Sequence, residues 1–123
     1  RLTLINEGDE LDYFDGRLDF FMSSGHTPGQ LHTIFHGEKE SVFFCGDLIP
    51  GRHWTHLPIT MGYDRYPEKV IDEKQSLYSH ANFESWNFFY THDHETAFSK
   101  IEKNEKGKYQ AHSEVREPIR YEI

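Results

Sequence analysis

The sequence comprises 123 residues, of which 36% are hydrophobic and 28% are charged, as expected for one compact globular domain with little room for two. Its 13 basic and 21 acidic residues give a net charge of -8, which argues against nucleic-acid binding, and no apolar run reaches the roughly 18 residues of a membrane span. The single cysteine, Cys45, excludes an internal disulfide bond and fits a cytoplasmic location.

Most of the predicted elements are strands. Short β-rich apolar runs bounded by glycine and polar residues indicate strands, and the short turns inside two pairs of them indicate hairpins. The predicted strands cover residues 2–5, 18–22, 31–36, 41–45, 86–90, 97–103 and 108–112. We therefore expect an α/β (α+β) fold whose sheet is mixed or mostly antiparallel.

One long helix is predicted over residues 67–83. Pro67 suits a first-turn position, Glu68 favours the positive amino end of a helix, and apolar side chains recur at helical spacing. This stripe comprises Val70, Ile71, Lys74, Leu77, Tyr78 and Ala81. We interpret it as a packing face, with the stem of Lys74 along its edge.

Three metal-competent side chains, His26, Asp47 and His92, each follow a predicted apolar strand. His26 stands between two glycines and close to Pro28, residues that restrict or permit unusual backbone geometry and so fix the position of the imidazole. Since α/β proteins collect their chemistry at the carboxyl ends of strands, we expect the three side chains to share one rim. A tight turn that merely contains a histidine is the alternative interpretation of residues 25–29.

Three motifs together resemble those of a known family. Residues 25–29 (GHTPG), 46–50 (GDLIP) and 91–93 (THD) resemble the third, fourth and fifth metal-binding motifs of the metallo-β-lactamase superfamily, in the same order. The intervening segment looks like the branch that holds the N-acyl homoserine lactone lactonases, and its matching residues are His56, Pro58, Met61, Tyr63, Asp64 and Pro67.

The resemblance implies an αβ/βα sandwich, in which each half contributes a sheet with helices outside. The family's first signature, His-x-His-x-Asp-His, is absent from this sequence. Residues 1–123 are therefore expected to form a single unit, the carboxyl-terminal half of such a domain. Its exposed sheet face would pair with the missing amino-terminal half or with a second copy of the chain.

The resemblance also implies two metal sites in the complete enzyme. His26 would bind the first metal, Asp47 would bridge the two, and His92 would bind the second. Zinc is the metal that the family suggests, and iron, manganese or nickel also accept imidazole and carboxylate ligands. The metals would generate a hydroxide that attacks a lactone, an ester or a related bond of a small-molecule substrate.

Asp47, His56 and Asp93 are the candidate catalytic residues. Asp93, beside His92, is expected to orient an imidazole. His56 matches the lactonase-like branch and lies in a predicted loop, residues 48–64, that we interpret as a wall of the substrate pocket.

Two functions from different classes follow from these observations. The first is part of a metal-dependent hydrolase, which would be active only when the amino-terminal half completes it. The second is a catalytically incomplete fragment that acts as an interaction module or is an inactive remnant, because three ligands spread over two metal positions bind weakly.

Overall fold

The computed structural model describes residues 2, 4–6, 13–119 and 122–123. These residues form one six-stranded sheet and one α-helix, joined by loops and short 3₁₀ turns. The strands are β1 (Leu18–Ser23), β2 (Gln30–His36), β3 (Ser41–Phe44), β4 (Asn87–Phe89), β5 (Phe98–Lys103) and β6 (Tyr109–Val115), and the helix is α1 (Pro67–Tyr78). Within the described ranges, no helix is long and apolar enough to cross a membrane.

The strands lie side by side in chain order, from β1 at one edge of the sheet to β6 at the other. β3 and β4 pair in parallel, whereas every other neighbouring pair is antiparallel. β1, β3 and β4 therefore run in the same direction, and their carboxyl ends lie at the same end of the sheet. The predicted mixed sheet and both predicted hairpins, β2–β3 and β5–β6, are confirmed.

Two predicted elements differ from the structure. The helix predicted over residues 67–83 is too long at its carboxyl end, because α1 ends at Tyr78. Two residues beyond that end, the ring of His80 packs on Trp86 with 4.6 Å between centroids, so tertiary packing turns the chain where no glycine or proline stands. The strand predicted at 2–5 is wrong for residues 2, 4 and 5, which have no regular structure, and residue 3 lies outside the described residues.

Phe43 and Phe44 show the two faces of the sheet. Phe43 is fully buried on the face covered by α1, where its ring stacks on His32 (5.5 Å) and Trp86 (6.2 Å). Phe44 lies on the opposite face, is 45% exposed, and stacks on Phe89 of β4 at 5.5 Å. Successive side chains of a strand alternate between faces, so apolar rings occupy both sides of this sheet and one side remains partly open.

His32 is a buried histidine on the α1 side of β2. Its Nδ1 atom lies 3.2 Å from the carbonyl oxygen of Phe44, which can only accept, so Nδ1 carries the proton. The hydroxyl of Ser23 then donates to Nε2 at 2.7 Å. Both ring nitrogens are satisfied in the neutral form, and burial lowers the pKa of His32.

This histidine gives a pH-dependent contribution to stability. Because its pKa is lower in the folded state than the value of about 6.5 in the unfolded chain, the unfolded state binds more protons as the pH falls through that value. We therefore expect the free energy of unfolding to decrease below about pH 6.5, and the decrease to be smaller in His32→Gln. Urea unfolding at several pH values tests this, with exposed His53→Gln as the control; equal pH dependence in the wild type and in His32→Gln would contradict it.

Candidate metal centre

The three side chains predicted as metal ligands lie close together at the end of the sheet where β1, β3 and β4 finish. The Nε2 atom of His26 lies 3.8 Å from Oδ2 of Asp47, and the Nε2 atom of His92 lies 2.8 Å from Oδ1 of the same carboxylate. One imidazole therefore faces each oxygen of Asp47. The His26 side chain is 19% exposed and that of His92 is 62% exposed, so the site is open on the His92 side.

Asp64 contacts the Nδ1 atom of His26, the ring nitrogen that is not directed at Asp47. Its side chain is 1% exposed, and its Oδ1 atom lies 2.8 Å from Nδ1 of His26. Its other oxygen accepts the backbone N–H of Met61 at 2.7 Å. A carboxylate at Nδ1 places the ring proton there and leaves the lone pair of Nε2 available on the side of Asp47. The sequence placed Asp64 in a matching segment but did not reveal this contact.

The loop that carries His26 is fastened to α1. The carboxylate of Glu73 accepts the backbone N–H groups of Ser24 at 2.6 Å and of Gly25 at 3.1 Å. A Cβ atom on Gly25 would lie 2.5 Å from the backbone nitrogen of Val70, so only glycine fits this approach. The sequence did not indicate this contact of Glu73 with the candidate site, since nothing in the helix pattern shows that its carboxylate faces the loop.

Both oxygens of Asp47 have hydrogen-bond donors within this chain. Nε2 of Gln30 donates to Oδ2 at 3.0 Å, and His92 lies at hydrogen-bond distance from Oδ1. The adjoining strand ends are tied together, because the hydroxyl of Thr91 donates to the carbonyl oxygen of Gly46 at 2.8 Å. The carboxylate is thus fixed between β2, β3 and β4.

The donor set suits divalent cations, but it is incomplete. Two nitrogen or oxygen ligands of a tetrahedral zinc ion lie roughly 3.4 Å apart. The 3.8 Å between His26 and Asp47 is close to that value, whereas the 2.8 Å between His92 and Asp47 is a direct hydrogen bond that would widen on metal binding. In the part of the chain that the structure describes, no three or more His, Cys, Asp or Glu side chains form a site for one metal ion by themselves.

The structure gives Asp93 a different role from the predicted one. Instead of an imidazole, its carboxylate contacts the backbone N–H groups of Arg52, Glu95 and Thr96, each at 3.0 Å. Burial raises the pKa of Asp93, but these hydrogen bonds and the Arg52 guanidinium at 3.7 Å outweigh it and lower the pKa. Asp93 therefore fixes the turn after His92 against the loop that follows Asp47.

His56 lies away from the three candidate ligands. It lines a cavity of about 380 Å³ between residues 52–59 and β6, and none of the ligands lines that cavity. Burial and the nearby ammonium groups of Lys108 and Lys74 lower the pKa of His56. The loop predicted as a pocket wall, residues 48–64, reaches the candidate metal centre at another place. Its residues 52–54 line a cleft of about 120 Å³ together with residues 92–94.

Comparison with known proteins shows similarity at the level of three-dimensional structure. No protein-family model matches the chain, and no curated protein matches it. A probable metal-dependent hydrolase from Staphylococcus aureus superimposes with a TM-score of 0.63 and 19% identity over 80% of this chain and 36% of that chain. The hydrolase AbOPH, of the beta lactamase superfamily, gives a TM-score of 0.66 and 21% identity over 85% of this chain and 35% of that chain.

A third match is AidC, a dizinc quorum-quenching lactonase in complex with the product N-hexnoyl-L-homoserine. It gives a TM-score of 0.66 and 18% identity over 90% of this chain and 37% of that chain. The chain thus spans little more than a third of the length of these structures. The expected resemblance is confirmed at the level of the fold, since the described residues have the fold of one half of a β-lactamase-superfamily domain.

Proposed function

We propose that this chain is the carboxyl-terminal half of a metal-dependent hydrolase that cleaves a lactone, an ester or a related bond. The observation that carries the proposal is the convergence of His26 and His92 on the two oxygens of Asp47 at 3.8 and 2.8 Å. The proposed reaction class is supported by the structural neighbours, which are a probable metal-dependent hydrolase, the hydrolase AbOPH and the lactonase AidC.

Each side chain has a defined part in this proposal. His26, whose Nδ1 atom contacts Asp64, would hold one cation, and His92, which now contacts Asp47, would hold the other. Asp47 lies between the two imidazoles, and its carboxylate would offset part of the positive charge of the cations. A pair of zinc ions, or of iron, manganese or nickel ions, would supply Lewis acidity that lowers the pKa of water from about 15.7 toward 7 and polarises a carbonyl group.

The cleft beside His92 is the proposed entry for a small-molecule substrate. The 3₁₀ turn Arg52–Trp54 forms one side of it and residues 92–94 form the other. Asp93 holds these two segments together through its hydrogen bond to the backbone N–H of Arg52. In this arrangement Asp93 acts on the shape of the cleft and not on the reacting atoms.

The remaining ligands would come from a segment outside this chain that carries His-x-His-x-Asp-His. The open sheet face is the proposed contact surface for that segment, since Leu31 is 37% exposed and Phe44 is 45% exposed there. Pairing of two copies through the same face is the alternative. An incomplete module that only binds a partner is the second candidate function, and it is favoured by the same open face together with the incomplete ligand set.

Completion of the chain tests the proposal. We expect the 123-residue chain alone to show no hydrolysis of lactone, carboxyl-ester or phosphotriester substrates above background. When the upstream half is added with zinc, we expect hydrolysis of at least one of these classes, because only then do both cations have a full ligand set. A monodisperse 1:1 complex without turnover would favour the interaction module instead.

A further inference from the structure

The segment between the cleft and Asp64 is held to α1 by two side chains. The ammonium group of Lys74 donates to three backbone carbonyl oxygens, and the hydroxyl of Tyr78, one helical turn further on, donates to a fourth at 2.7 Å. The acceptors are the carbonyl oxygens of Trp54 (3.0 Å), His56 (2.7 Å) and Ile59 (2.8 Å) for Lys74, and of Thr55 for Tyr78. A segment with little regular structure thus obtains its hydrogen bonds from a helix.

Lys74 is an unusual residue for a purely apolar packing face. Its side chain is fully buried, and its three N–H donors match three acceptors. Burial lowers the pKa of Lys74 to about 8, while the negative charge of Asp64 acts in the opposite direction. Taking an ammonium group out of water costs several kcal/mol unless it is well paired, so an apolar side chain would serve simple packing at lower cost.

The segment that Lys74 and Tyr78 hold, residues 54–59, includes one residue that lines the cleft. Trp54 packs against the buried core and lines the cleft opposite His92. Its carbonyl oxygen is one of the three acceptors of Lys74, so the position of this wall depends directly on the ammonium group. The other end of the segment leads to Asp64, which orients His26.

We infer that Lys74 is a positioning residue, which sets the Trp54 wall of the substrate cleft by holding the carbonyl groups of residues 54–59 from α1. The inference rests on the proposed function only for its effect on catalysis, since the position of the wall can be measured in the chain itself. In a completed enzyme, loss of the hydrogen bonds from Lys74 would raise KM more than it lowers kcat, because Trp54 lines the cleft and is not one of the three candidate metal ligands.

The test uses Trp54 as its own reporter. The chain has two tryptophans, and Trp86→Phe removes the buried one, so that the remaining emission comes from Trp54. In this background, Lys74→Met is expected to shift the emission to longer wavelength and to raise the acrylamide quenching constant at least about twofold, because the wall detaches locally. Lys74→Arg is expected to restore part of the protection, and Lys69→Met, an exposed lysine on the same helix, is expected to change nothing.

Tyr78→Phe keeps the inference testable if Lys74→Met fails to fold. It removes the single hydrogen bond to Thr55 without emptying the core, and a smaller rise in quenching is expected. Unchanged Trp54 quenching in a folded Lys74→Met or Tyr78→Phe variant would contradict the inference that these hydrogen bonds hold Trp54 in place. Absence of turnover in the completed wild type would instead count against the proposed function, and the quenching result would still stand.

Discussion

Asp47→Asn is expected to abolish most of the activity of the completed protein, with a fall in kcat/KM of at least about 100-fold. This exceeds the 10- to 100-fold cost typical of losing a group that only supports a metal ligand, because the carboxylate would contact both cations. The amide offers one oxygen instead of two, carries no charge, and turns an N–H donor toward an imidazole nitrogen. Steady-state kinetics with the best lactone or ester substrate measure the effect.

Asp72→Asn is the matched control, since Asp72 is an exposed carboxylate on α1. It makes the same change of charge and is expected to retain wild-type activity. Thermal unfolding of both variants separates activity from folding. If Asp47→Asn keeps the activity of Asp72→Asn, the carboxylate is not part of the catalytic centre.

Gly25→Ala is expected to have the second-largest effect, on stability and activity together. The new Cβ would lie 2.5 Å from the backbone nitrogen of Val70 and 2.9 Å from Oε2 of Glu73. The loop must move away from α1, at a cost of about 1–3 kcal/mol in the free energy of unfolding. His26 moves with it, and a misplacement of about 1 Å at a catalytic group can cost about 100-fold in rate.

Gly62→Ala provides the control for this substitution. A Cβ at Gly62 meets no atom within 4 Å, so the variant is expected to unfold at the wild-type denaturant concentration and to keep full activity in the completed protein. Urea unfolding and kinetics of the two alanine variants should therefore diverge. Equal stability and equal activity of the two variants would show that the close approach of the His26 loop to α1 contributes to neither property.

The convergence of the three candidate ligands could be predicted from the sequence because each of them follows a strand, and the strands concerned run in the same direction. Each of His26, Asp47 and His92 follows an apolar run, and strands that run the same way deliver such residues to one side of a sheet. Hairpin signals of the kind seen at residues 37–40 likewise depend on neighbouring residues only. Strand propensity and turn chemistry depend on neighbouring residues, so both can be inferred from the sequence.

Contacts between a side chain and a distant part of the backbone could not be predicted. Asp93 was expected to orient an imidazole because it adjoins His92. Its carboxylate instead accepts the backbone N–H groups of Glu95 and Thr96, just after it, and of Arg52, which lies 41 residues earlier in the chain. Lys74 sits in a helical stripe that predicts packing, and only the path of the 54–59 segment turns its ammonium group into a clamp. The end of α1 at Tyr78 depends in the same way on packing around His80 and Trp86.

The zinc content of the completed protein tests the central claim most directly. After removal of loosely bound metal, we expect about two zinc ions per protein, because the proposal has Asp47 shared between two metal sites. His26→Ala and His92→Ala are each expected to lower that content, while His112→Ala, on β6 and outside the cleft, leaves it unchanged. Wild-type zinc content in both His26→Ala and His92→Ala would contradict the proposed metal centre.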